Sequence, residues 1–201
     1  MRVRADVVLD LLESRLAALP EAIAPQAAAL LKARTTIVEQ FDDLRAIADG
    51  GTRIRIHGDY HLGQVLRVEE DFVILDFEGE PARPMADRRA KQSPLKDVAG
   101  MVRSFSYAAY AALFSFTVHT PEDSAVLETW AGAWQRWVAD AFVQEYRAAM
   151  GDSHVIPSDE AFTRLLRAMT LDKALYELAY ELNHRPEWIR IPLTGLLKLL
   201  A

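Results

Sequence analysis

Val8, Leu11, Leu12, Leu16 and Leu19 recur at helical spacing, which puts them on one face of a helix. Pro20 ends that pattern. A second stripe, Leu30, Leu31, Ile37, Val38, Phe41, Leu44 and Ile47, predicts a longer helix from about Glu21 until Gly50-Gly51 stops it. Both read as scaffold. The period then changes. Ile54 and Ile56 alternate with Arg53, Arg55 and His57, which predicts a short strand. A loop over 58–64 leads to a second strand at 65–68. Glu69-Glu70-Asp71 turns the chain into a third, mostly apolar strand at 72–77. The loops opening at Gly58 and Asp76 both follow strand ends, where rigid elements aim side chains at a ligand.

The stretch 79–94 is polar, with Pro81, Pro84, Pro94 and four basic residues, and reads as an ordered loop. Helical patterning resumes near Pro94-Leu95 and continues past Tyr110. Another helix opens at Thr120-Pro121-Glu122-Asp123, with Thr120 as N-cap and Pro121 in the first position, and ends near Gly151. A further helix runs from Ser158-Asp159-Glu160 to about Asn183. Pro186 interrupts, and a short final helix follows Pro192. The expected fold is therefore mainly α with a short β-hairpin (α+β). It is read as a single domain: a helical lead-in over 1–50, a hairpin with its loops over 53–81, and a helical subdomain over 94–201.

The 201 residues suit one domain or one large lobe, and the 51% apolar fraction can form a core. A net charge of -6 argues against nucleic acid as the main partner, because phosphate backbones select basic surfaces. No apolar run is long enough to span a bilayer, and the basic residues at Met1-Arg2-Val3-Arg4 have no apolar segment behind them, so no signal peptide is read there. The chain has no cysteine, which removes disulfides and thiolate metal sites and is compatible with the reducing cytoplasm, its expected location.

The chemistry concentrates in His57-Gly58-Asp59-Tyr60-His61-Leu62-Gly63-Gln64-Val65-Leu66 and Ile74-Leu75-Asp76-Phe77-Glu78-Gly79-Glu80-Pro81. Asp59 sits in a tight loop after a strand, and Gln64 follows five residues on. Asp76 ends a strand that a short turn returns, so a hairpin can bring all three to one end of a small sheet. That set suits phosphoryl transfer, which needs a carboxylate to orient an acceptor hydroxyl and take its proton. It also needs magnesium on the nucleotide phosphates, and an amide oxygen with a carboxylate supplies the hard ligands that magnesium prefers. The spacing from Asp59 to Gln64 equals that of the Asp-x-x-x-x-Asn kinase loop, and Asp76-Phe77-Glu78 stands where such enzymes carry Asp-Phe-Gly. The plainer readings are that Asp59 is a turn residue and Asp76 a strand-end cap. His57 and His61 read as hydrogen-bonding braces of the loop. Asp97 reads as a further brace, through backbone hydrogen bonds at its helix start.

These two motifs resemble the maltokinases of the aminoglycoside-phosphotransferase-like kinase superfamily. So do Ser93-Pro94-Leu95-Lys96-Asp97-Val98-Ala99-Gly100-Met101 and Tyr180-Glu181-Leu182-Asn183-His184-Arg185-Pro186-Glu187-Trp188. The resemblance runs from about residue 53 to the C-terminus. It implies the C-terminal lobe of a protein-kinase-like fold and transfer of the ATP γ-phosphate to maltose, giving maltose 1-phosphate. Asp59 is then the catalytic base, while Gln64 and Asp76 hold magnesium and the nucleotide, with Glu78 as a further metal ligand. The glutamine departs from the asparagine usual in the wider superfamily. The resemblance also implies that Asp59, His61, Arg103, Tyr180, Glu181, Arg185 and Trp188 face the acceptor, with core or interdomain packing as the plainer role for the last four. Trp130, Trp134 and Trp137 lie at helical spacing and read as core or interface, not as a sugar platform.

No glycine-rich nucleotide loop and no Val-Ala-Ile-Lys-like strand precedes the catalytic motif. The ATP-grasping N-terminal lobe is therefore expected to be absent, and the chain alone to fold but transfer phosphate poorly. Maltokinases often occur fused to a trehalose synthase domain, which makes that domain a candidate partner. Two alternatives stay open: a non-catalytic docking or assembly module of such a fusion, and a related kinase with another small-molecule acceptor.

Overall fold

A computed structural model of the chain describes residues 1–81, 83–117 and 121–200. Ten regular elements follow one another: α1 (Arg2–Arg15), α2 (Ala24–Lys32), α3 (Arg34–Asp42), β1 (Val65–Val68), β2 (Asp71–Ile74), α4 (Met85–Arg89), α5 (Leu95–Thr117), α6 (Ser124–Met150), α7 (Asp159–His184) and α8 (Arg190–Leu200). They form two compact units, one of residues 1–49 with 163–201 and the other of residues 50–162, with the boundary inside α7.

The first unit is built on leucine. Val8, Leu9 and Leu12 of α1, Leu30 of α2 and Ile37 and Phe41 of α3 meet Leu171, Leu175, Leu178 and Leu182 of α7 and Leu193 and Leu196 of α8 in one core. Arg4 pairs with Asp172 at 2.5 Å, and Arg34 reaches Asp10 at 2.7 Å. The helix expected over 21–47 is broken. Pro25 lacks an N–H and fits only a first turn, so α2 begins at Ala24. Ala33 (φ −86°, ψ 7°) then separates α2 from α3, just before the β-branched run Thr35, Thr36, Ile37 and Val38, which is stiff in a helix. The last helix starts at Arg190, two residues before Pro192, which fits in its first turn.

In the second unit β1 and β2 form a two-stranded antiparallel sheet, with Val65 opposite Ile74 and Val68 opposite Asp71. The hairpin is as expected, but the strand expected at 53–57 is reduced to one bridge, between Ile54 and Gln92. Pairing stops there because the neighbouring positions are committed elsewhere: the Ala90 N–H goes to Ala86 in α4, the Thr52 N–H to Val155, Pro94 has no N–H, and the N–H groups of His57 and Gly58 go to Asp97. The strand expected over 72–77 ends at Ile74, because Asp76 has a left-handed backbone (φ 59°) that turns the chain out of the sheet. The stretch 79–94, expected as a loop, contains α4. Met101, Phe105 and Ala139 make a small core where α5 and α6 pack, with Tyr60, Val65, Val102, Val138 and Phe142 around it. The N-cap expected at Thr120 lies outside the described residues. Trp130, Trp134 and Trp137 do not join the core: they are 69%, 45% and 80% exposed.

Candidate active site

The loop 57–64 is held from three sides. From α5, the Asp97 carboxylate accepts the N–H of His57 at 2.7 Å and that of Gly58 at 2.9 Å, one on each oxygen. Burial raises this carboxyl above its ordinary value, and the two backbone N–H groups pull it back. Burial, with the Asp97 charge added to it, raises the phenols of Tyr60 and Tyr146 as well. From the hairpin, the Leu75 carbonyl meets His57 Nε2 at 2.6 Å. A carbonyl only accepts, so Nε2 carries the proton and Nδ1 is left as the acceptor for the Asp59 N–H, at 3.3 Å. The His57 ring, 6% exposed, thus ties the backbone of Asp59 to the residue before Asp76. Its brace role is as expected.

The third hold is close packing. A Cβ on Gly100 in α5 would lie 2.6 Å from the Tyr60 carbonyl oxygen, so only glycine lets the loop lie on the helix there. Gly58 has φ +87°, and a Cβ on it would meet Gly79 Cα at 3.3 Å, so the two motif loops touch backbone to backbone.

Within this frame the predicted residues take definite places. The Gln64 side-chain nitrogen donates to Asp76 Oδ2 at 3.1 Å, and the Leu75 N–H donates to the Gln64 carbonyl at 2.9 Å. Gln64 and Asp76 are therefore together, as the motif spacing implied. His61 Nδ1 accepts from the Gly63 N–H at 3.1 Å, which caps the turn into β1. Its Nε2 lies 3.9 Å from Asp59 Oδ2, and the Asp59 side chain is 20% exposed. Glu78 is exposed and has no hydrogen-bond or ion-pair partner among the described residues. No group of three or more His, Cys, Asp or Glu that could hold a metal occurs among the described residues. A cavity of about 390 Å³ adjoins the loop, lined by His57, Tyr60, Ile74, Phe77, Asp97 and Tyr146 among others. Arg103, one of the expected acceptor residues, is 3% exposed inside α5 and donates to Ser106 Oγ at 3.4 Å.

In the other unit, the four remaining acceptor candidates form one cluster. Glu181, 1% exposed, accepts two bonds from Arg185, at 2.9 and 2.7 Å. The Arg185 guanidinium lies over the rings of Tyr180 and Trp188, at 5.3 and 5.2 Å. Tyr180 stacks on His184 at 4.5 Å. The site list from sequence omitted His184, although its i, i+4 spacing from Tyr180 predicts that contact. It also omitted Gly100 and Ser104, whose Oγ accepts the Leu62 N–H at 3.2 Å. A glycine inside a long helix was the available signal for Gly100.

No family model matches the chain. It is 32% identical over 166 residues to a glucosamine kinase of Streptacidiphilus jiangxiensis, which covers 82% of this chain and 35% of that protein. It is 34% identical over 165 residues to a glucosamine kinase of Mycolicibacterium smegmatis, covering 81% of this chain and 38% of that protein. The fold is similar to that of a glucosamine kinase solved with glucosamine, ADP and inorganic phosphate, with TM-score 0.74, 29% identity, 98% of this chain and 44% of that one. A second crystal form of glucosamine kinase gives TM-score 0.73 and 28% identity over 98% of this chain and 45% of that one. The relatives are thus named for glucosamine, where the motif resemblance implies maltose. The chain spans little more than a third of the length of these curated relatives, and over that span it is similar to glucosamine kinases in both sequence and fold.

Proposed function

We propose that the chain carries the phosphoryl-transfer residues of an ATP-dependent sugar kinase. One observation carries the reading: Gln64 and Asp76 are hydrogen-bonded to each other, and His57 links the Asp59 backbone to the residue before Asp76. The similarity to glucosamine kinases supports it, as does the ADP in one of their structures. Asp59 orients the acceptor hydroxyl and takes its proton as the oxygen bonds to the γ-phosphorus and the bond to the β–γ bridging oxygen breaks.

The paired amide and carboxylate of Gln64 and Asp76 fit magnesium, since both offer hard oxygens once the Gln64 amide turns its oxygen toward the site. Magnesium, when bound, neutralises charge on the phosphates. Exposed Leu66, Val73 and Leu75, on one face of the hairpin by its register, give it an apolar surface next to that pair, a seat of the kind a purine ring packs against. The matched length of 44% fits a lobe that needs a further part of a longer protein to grip ATP.

Glucosamine is the acceptor the named relatives favour. Maltose is the second reading, carried by the motifs of the two loops and of residues 180–188. In either case Tyr180 and Trp188 offer the aromatic faces that sugars need, and Arg185, held by buried Glu181, a forked donor. The test is to titrate the chain calorimetrically with glucosamine, maltose and glucose, and to assay sugar phosphate by mass spectrometry after long incubation with ATP and magnesium. Selective binding of one sugar is expected, with slow transfer that falls about 100-fold or more in Asp59→Asn. Neither binding nor sugar phosphate with any of the three sugars would sink the reading.

A further inference from the structure

The second unit carries an apolar face that the site does not use. Along α6, Val126, Trp130, Trp134 and Trp137 fall within one helical stripe, and Phe116 at the end of α5 lies exposed beside it. Trp130, Trp134, Trp137 and Phe116 are 69%, 45%, 80% and 67% exposed. Ala108, Ala112, Leu113, Phe116, Leu127 and Trp130 help to wall a groove of about 400 Å³ between the two helices. Among the described residues its lining is all alanine, leucine, phenylalanine and tryptophan, with only indole N–H groups to orient a sugar or a nucleotide. Such a surface suits protein.

We infer that this face is a two-fold interface with a second copy of the same chain. Area is the first argument. At about 150–250 Å² for each aromatic residue, the exposed fractions leave roughly 500 Å² of ring surface in water. A standard interface takes about 800 Å² from each partner, of which about 65% is apolar in homodimers, again roughly 500 Å². The stripe alone therefore supplies the apolar part of one such interface, and it is as large as the biggest patches that monomers leave bare.

Self-complementarity is the second argument. A two-fold contact requires that if residue i meets j, then j meets i. Trp137 is the most exposed ring and the natural knob. The groove centres near Ala131, about 9 Å back along the same helix at 1.5 Å per residue. Antiparallel pairing of two α6 helices with the axis beside Trp134 seats each Trp137 in the other's groove.

The test is sedimentation equilibrium of the chain from 1 to 100 μM, run with Trp130→Ser/Trp137→Ser and, as a control, Phe72→Ser in the hairpin. Circular dichroism melts check that each variant is folded. A dimer is expected for the chain and for Phe72→Ser. In the double tryptophan variant the dissociation constant should rise at least 100-fold, leaving monomer across the range that still melts cooperatively. A chain that is monomeric at 100 μM overturns the proposal. So does a dimer that survives loss of both tryptophans, or one that Phe72→Ser dissolves.

Discussion

At the residue scale, the loop 57–64 depends on one carboxylate from α5. Asp97 satisfies two backbone N–H groups of the loop. In Asp97→Asn one of these faces an NH2 group instead of an oxygen, so the variant should lose about 1–3 kcal/mol of stability. The loss should depend on pH. Burial raises the Asp97 carboxyl above 3.8, so the folded chain binds the proton more tightly than the unfolded one. The stability tied to that proton is complete below about 3.8 and lost as pH rises through the folded value. Urea unfolding at pH 4 and pH 7 should show wild type exceeding Asp97→Asn by more at pH 4; an equal or wider gap at pH 7 would contradict this account. Gly100→Ala makes a separate point. Its new Cβ falls 2.6 Å from the Tyr60 carbonyl oxygen, so the loop must move, at about 1–3 kcal/mol. A melting temperature equal to wild type would show that the loop does not lie on the helix as described.

At the element scale, the hairpin is the weak member. Two strands alone are marginal in water, and Leu66, Val68, Phe72 and Val73 are exposed on it. Its amides should exchange quickly in the chain alone and slow on addition of ADP with magnesium, if the proposed seat is right. No change in exchange over 64–77 at saturating nucleotide would argue against that seat. The hairpin was legible in the sequence because two short apolar runs and the acidic turn between them marked it. So were α1, α5, α6 and α7, whose apolar period and flanking glycines and prolines agree. The strand at 53–57 misled because alternation cannot show where backbone donors go, and here a distant aspartate took them. The single helix over 21–47 misled because the stripe continues in phase while Pro25 and the break at Ala33 do not. The Gln64–Asp76 pair was readable from motif spacing. The exposure of the three α6 tryptophans was not, since one-turn spacing is the same for a core face and a bare one.

At the scale of the whole molecule, the two units differ in how much they bury. The first has Leu9, Leu12, Leu30, Leu171, Leu175 and Leu178 fully buried in one core. Among the described residues the second unit buries fewer apolar side chains, Ile56, Leu95, Val98, Met101, Phe105, Tyr110 and Leu113 among them. Hydrogen exchange should therefore be slowest in the leucine-lined turns of α7 and slower there than anywhere in 50–81; the reverse order would contradict this ranking. Leu175→Ala should remove about 2–5 kcal/mol, measured by denaturant unfolding.

The placement of the tryptophans has a spectroscopic consequence. Of the four indoles in the chain, three stand on the surface of α6 and the fourth, Trp188, lies against the Arg185 guanidinium. None sits among the leucines of the first core. Intrinsic emission should accordingly be red-shifted in the native monomer and move little on unfolding, while any burial of the α6 face should shift it to the blue. Fluorescence of this chain thus reads the condition of one helix surface, and the melting of its main core has to be followed by circular dichroism.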